Sequence, residues 1–117
     1  MKAMAHEPAG TLATIYDHRW EVAHFHGNDV NHRGPGQGPT DLHAVARALR
    51  EIKYKGWVSV EPFDYHPTAE ECARKSLDNL QSAFTYSANS ARSYYLGSRL
   101  IFRARLRGIS VLFSSEP

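Results

Sequence analysis

Cysteine is nearly absent. Cys72 is the only one, so no disulfide can form within the chain, and a reducing cytoplasm is the expected setting. In its surroundings Cys72 reads as a small residue on a helix face rather than a reactive thiol. The opening MKAMAHEPAG lacks the apolar stretch of a signal peptide, and no apolar run approaches the roughly 18 residues that span a bilayer. No transmembrane segment is therefore expected. Acid is scarce at one end only: residues 84–117 hold five arginines and one glutamate, whereas residues 1–83 hold nine basic and eleven acidic side chains. That change of sign near Phe84 sets the expected division into 1–83 and 84–117. The overall 42% hydrophobic and 22% charged content is that of an ordinary globular domain.

Between these margins the pattern alternates in type. WEVAHFH (Trp20–His26) is aromatic and β-branched with period two, and predicts a strand. GNDVNHRGPGQGP has loop chemistry throughout. From Thr40 or Asp41, either of which can cap a helix, Leu42, Val45, Ala46 and Leu49 fall on one helical face. Lys53–Gly56 predicts a helix stop, with Gly56 free to take a positive φ. WVSVE (Trp57–Glu61) is a second strand, closed by Pro62. Thr68 with Glu71 has the spacing of a capping box for a helix to about Leu80. Thr11 to about Arg19 is a candidate short helix, and Met1–Met4 a candidate strand end. Strand, helix, strand, helix with short loops indicates parallel strands in an α/β fold.

Side-chain parity then separates two faces. Ala23, Phe25, Val58 and Val60 suit packing beneath helices. The opposite face carries His24 and His26 on one strand and Ser59 and Glu61 on the next. His26 and Glu61 close their strands at the C-terminal edge, where parallel α/β folds bind ligands. An imidazole and a carboxylate delivered there suit a divalent metal or a proton-transfer site. His24, one layer deeper, reads as a core imidazole with a satisfied hydrogen bond.

The stretch AHFHGNDVNHRGPGQGPTDLHAVARALREIKYKGWVSVEPFDY resembles the C-terminal portion of the sugar phosphate isomerase/epimerase family, with its xylose isomerase-like TIM barrel. That barrel is related in structure to endonuclease IV. The resemblance covers residues 1–83 and implies a partial TIM barrel, its last two to three βα units, followed by a non-family tail. In the ketose 3-epimerases of this superfamily two glutamates, an aspartate and a histidine hold a divalent metal. The second histidine of HxH corresponds to His26 and the glutamate of EPF to Glu61. The resemblance makes Glu61 both a metal ligand and one of two groups that move a proton beside a carbonyl. The metal is manganese, magnesium, cobalt or zinc, and the partner a sugar or sugar phosphate.

Departures set further expectations. Where the family has a substrate-binding arginine six residues after the metal histidine, this chain has His32, followed by Arg33. Arg33, His32 and Asn31 are therefore the candidate substrate contacts, with Asp29 a candidate that also fits a plain turn former. The glycines of GPGQG have the look of a phosphate cradle, but without a strand–Gly-loop–helix fingerprint a tight turn over the barrel mouth accounts for them better. MKAM resembles the end of the sixth barrel strand, which places the aspartate ligand before Met1. The substrate-contacting histidine aligns with Ala3, and the second glutamate belongs to an earlier strand. The isolated chain is accordingly expected to bind metal weakly or not at all and to lack isomerase activity.

The tail from Phe84 has three readings: a non-homologous addition, a strand or helix covering apolar surface, or a basic anchor acting through Arg103, Arg105 and Arg107. Function likewise has alternatives. One is a sugar isomerase or epimerase fragment. Another is a non-catalytic remnant that pairs with itself or a larger partner through exposed sheet edges. An endonuclease IV-like nuclease is third, since its trinuclear zinc site needs more ligands, and no nucleic-acid partner is expected.

Overall fold

Asp41 ends the glycine-rich loop and begins the helix that the Leu42–Leu49 period requires: its carboxylate accepts from Ala44 N, satisfying one of the free N–H groups of the first turn. In the computed structural model, residues 1–84 are described with their side chains, that of Lys2 excepted, and 92–96, 99–106 and 109–114 as backbone strands. The elements are α1 (Gly10–Asp17), β1 (Phe25–His26), α2 (Leu42–Glu51), β2 (Trp57–Val60), α3 (Ala69–Phe84), β3 (Arg92–Leu96), β4 (Arg99–Leu106) and β5 (Ile109–Ser114). β1 and β2 run parallel in the register Phe25↔Val58 and His26↔Ser59, joined through α2. The sheet order is β1-β2-β5-β4-β3, with β5 parallel to β2 and the remaining pairs antiparallel. The chain is thus α/β, and its tail adds strands beside β2. The basic-anchor reading rests on the side chains of Arg103, Arg105 and Arg107, which lie outside the described residues.

The core forms where parity placed it. Phe25, Val58 and Val60 meet Val45, Leu49 and Leu80 from α2 and α3. Ala23 is the exception, since it is exposed. Two segments differ from their sequence expectations. The strand expected over Trp20–His26 is ordered as strand only at Phe25–His26. β2 starts at Trp57, opposite His24 in this register, so the residues before His24 have no strand residue facing them. Trp20 instead stands 85% exposed within a turn closed by Glu21 N to His18 O. The strand end expected at Met1–Met4 gives way to a 3₁₀-helix over Lys2–His6. Only the Met1 amine reaches the sheet, donating to His26 O at 3.0 Å, before Met4 N turns back to Met1 O.

Helix ends also repay attention. The stop after α2 is a Schellman motif, Lys53 N donating to Arg50 O and Tyr54 N to Leu49 O. The positive φ falls on Lys53, at 57°, rather than on Gly56. Gly56 is needed for space: a Cβ there would run into the Tyr54 hydroxyl and ring. Only half of the Thr68–Glu71 capping box forms. Thr68 Oγ1 accepts from Glu71 N, while the Glu71 carboxylate pairs with Lys75. α3 runs past Leu80 to Phe84 because Arg50 holds its last turn, donating to Ala83 O and lying over the Phe84 ring.

Candidate functional site

Alternation along two short parallel strands puts His24, His26, Ser59 and Glu61 on one face. The chain of contacts runs across it. His24 Nε2 lies 2.6 Å from Ser59 Oγ, Ser59 Oγ 3.4 Å from His26 Nδ1, and His26 Nδ1 3.7 Å from Glu61 Oε2. The last separation is too long for a hydrogen bond, so imidazole and carboxylate stand side by side without being locked together. Their side chains are 51% and 58% exposed. The His24 ring lies 4.9 Å from that of His26. Desolvation, reinforced by His24, lowers the His26 pKa below its ordinary 6.5, against the opposing pull of Glu61. The imidazole is therefore neutral at pH 7, the form that offers a lone pair to a metal.

The two loops that follow these strands are stitched together. Asn28 is buried, and its amide donates to Glu61 O at 2.6 Å and accepts from Glu61 N at 2.9 Å. His32 takes a φ of 71°, and its carbonyl accepts from Phe63 N and Asp64 N. The His32 ring meets Phe63 edge-on at 6.2 Å. Between them opens a cleft of about 650 Å³, lined in part by His6, His26, Asn28, His32, Glu61 and Phe63. On the other flank of β1 lies a second, more apolar cleft of about 470 Å³, against Met4, Ile15, Val22 and Phe25.

Of the residues singled out from sequence, His26, His32 and Glu61 share the first cleft. Arg33 does not line it. Its Nε donates to Asp64 Oδ2 at 2.9 Å, and it borders a separate surface cleft with Gln37, His66 and Lys75. Asn31 is engaged within its own turn, donating to Gln37 O and accepting from Arg33 N. Asp29 is fully buried and closes the loop, accepting at Oδ1 from Val30 N, Thr40 N and Thr40 Oγ1. Its Oδ2 is buried without a hydrogen-bond partner among the described residues. In GPGQG, Gly34 is required by close packing, since a Cβ there would collide with Ser76 Oγ of α3. Gln37 and Asn79 tie the same loop to that helix, through Gln37 Nε2 to Cys72 O and Asn79 Nδ2 to Pro35 O.

Sequence reasoning missed Asn28 and His6. Asn28 was hidden in a run of loop-type residues, although an Asn opposite the last residue of the neighbouring strand was a usable signal. Nothing in the sequence marked His6. As donors, His26 nitrogen and Glu61 oxygen suit a divalent ion. Among the described residues no group of three or more His, Cys, Asp or Glu side chains is arranged to hold one. Nor is any described helix long and apolar enough to cross a membrane.

Comparison with known proteins adds two matches. The family described as xylose isomerase-like TIM barrel matches residues 4–83. D-psicose 3-epimerase of Agrobacterium fabrum (strain C58 / ATCC 33970) is 45% identical over 42 residues, which cover 36% of this chain and 14% of that enzyme. The chain thus spans a small part of the length of that relative. No solved structure gives a significant match.

Proposed function

The chain belongs to the xylose isomerase-like TIM barrel family, and we propose on that premise that it is part of a sugar or sugar-phosphate isomerase or epimerase. The reaction is a metal-assisted proton transfer beside a carbonyl. His26 and Glu61 are two of the metal's ligands, and the chain is a partial barrel of the last two to three βα units. The single observation carrying this reading is the placement of His26 and Glu61, 3.7 Å apart at the C-terminal ends of adjacent parallel strands, on one cleft. The similarity to D-psicose 3-epimerase supports the substrate class.

A divalent metal bound there would supply positive charge beside the substrate carbonyl. The chain's own residues do part of the rest. His26 presents a neutral imidazole nitrogen to the ion. Glu61 would offer it a carboxylate oxygen and serve as one of the two groups that move the proton at the substrate carbon. His32 and Asn28 line the cleft in which the sugar lies. Further ligands come from outside the described residues, so the isolated chain binds metal weakly and does not turn over sugar.

The test is Mn²⁺ uptake by the purified chain, followed by the spin resonance of the free ion, alongside an assay with D-psicose. Weak uptake that disappears in both His26→Ala and Glu61→Gln, with no turnover, is expected. Uptake indifferent to both substitutions removes the metal reading, and turnover of D-psicose by the chain alone removes the claim of inactivity. The apolar cleft beside β1 favours a second reading, a non-catalytic module that associates through that sheet edge.

A further inference from the structure

Glu61 lies one residue past the end of β2, where the β1 ladder has stopped. The final rungs are His26↔Ser59 and Gly27 N to Ser59 O at 2.7 Å. Pro62 follows and has no N–H to offer. Both backbone groups of Glu61 are thus left without a ladder partner. Asn28 supplies both. Its Nδ2 donates to Glu61 O at 2.6 Å and its Oδ1 accepts from Glu61 N at 2.9 Å, so one planar amide continues the ladder by a rung.

We propose that Asn28 is a positioning residue, holding the Glu61 backbone so that its carboxylate stands beside His26 over the cleft. This deepens the reading of Glu61 as a metal ligand and proton carrier, and rests on it. The residue type is demanding. Only an amide carries a donor and an acceptor on one short plane. A carboxylate at this position would keep the bond from Glu61 N but set an oxygen against Glu61 O. Alanine would leave both groups unpaired. Asn28 is 4% exposed, so water does not readily replace it. The rung is braced on its far side, where His32 O accepts from Phe63 N at 2.8 Å and Asp64 N at 3.1 Å. Glu61 therefore sits between two fixed points, and only its side-chain torsions remain free. Residues behind a metal ligand characteristically matter about 10–100-fold to metal affinity.

The full chain, isotope-labelled, is compared with Asn28→Ala and Asn28→Asp. Three-bond backbone couplings at Glu61 report its φ and ψ, amide exchange at Glu61 reports the rung, and Mn²⁺ titration reports affinity. In Asn28→Ala the couplings average over a wider range of backbone torsions and the Glu61 amide exchanges faster, while Val58 and Val60 keep their protection. Mn²⁺ affinity falls about 10–100-fold. Asn28→Asp, which serves if the alanine variant does not fold, keeps the Glu61 amide protected yet averages the couplings. Gln37→Ala, which frees the same loop from α3, leaves the Glu61 couplings as they are. Unchanged Glu61 couplings in both Asn28 variants would overturn the inference. So would an unchanged Mn²⁺ affinity in a folded Asn28→Ala chain whose wild type takes up the ion. A wild type that takes up no Mn²⁺, while Asn28→Ala still frees the Glu61 backbone, supports the positioning role and overturns the metal-centre reading instead.

Discussion

Arg33 and Asp64 face each other at 2.9 Å across the two loops that frame the cleft. The Arg33 guanidinium, helped by the His66 N–H, holds the Asp64 carboxyl below its ordinary 3.8. A carboxyl lowered on folding contributes stability that is complete above 3.8 and is lost as pH falls through its folded value. The pair is substantially solvent-exposed, so the contribution is small and salt-sensitive. Asp64→Asn is expected to lower the urea midpoint slightly at pH 7, and the gap to wild type closes as pH drops below about 4. A gap that stays constant down to pH 3 would show that the ion pair is not its source. At this scale the sequence was legible where a residue's placement depends on strand parity alone, as with His26 and Glu61. It was opaque for Asn28, whose task depends on where the ladder ends, and for Arg33, whose partner comes from another loop.

Elements were legible where their signals are local. Asp41 caps α2, Leu42 to Leu49 bury its apolar face, and the Trp57–Val60 alternation gives β2. Strand limits were not, because a strand ends where its partner does, and β2 starts too late to pair with Trp20 through Ala23. The turn after α2 is the clearest reversal. Of two residues suited to it, Lys53 takes the left-handed conformation, at φ 57°, while Gly56 supplies room for Tyr54. A side chain at such a φ costs roughly 1–2 kcal/mol, and glycine returns part of that gain through the entropy of the unfolded chain. Lys53→Gly is therefore expected to stabilise the protein by up to about 1 kcal/mol. Gly56→Ala is expected to destabilise it, since its Cβ meets the Tyr54 ring. Thermal melts of the two variants decide the point, and destabilisation by Lys53→Gly would contradict the account of this turn.

At the scale of the molecule, the sheet is closed on one side of the site and open on the other. β2 has neighbours on both sides, but among the described residues β1 has a strand on one side only. An uncovered edge beside apolar surface is the feature through which sheets associate. The cleft of about 470 Å³ along that edge carries Met4, Ile15, Val22 and Phe25, and family membership says that barrel strands occupy both sides of such an edge. Self-association through β1 is the predicted outcome, with a second copy covering the edge and the apolar wall together. Sedimentation velocity over a wide concentration range is expected to show a reversible shift toward a larger species. Met4→Lys and Val22→Lys each place a charge in the wall and should move that shift to higher concentration. A lysine introduced on the exposed side of α3, at Asp78 for instance, should not. A wild type that sediments as one unchanging monomer would leave the β1 edge without this role. A shift indifferent to both wall substitutions would place the contact on another part of the chain.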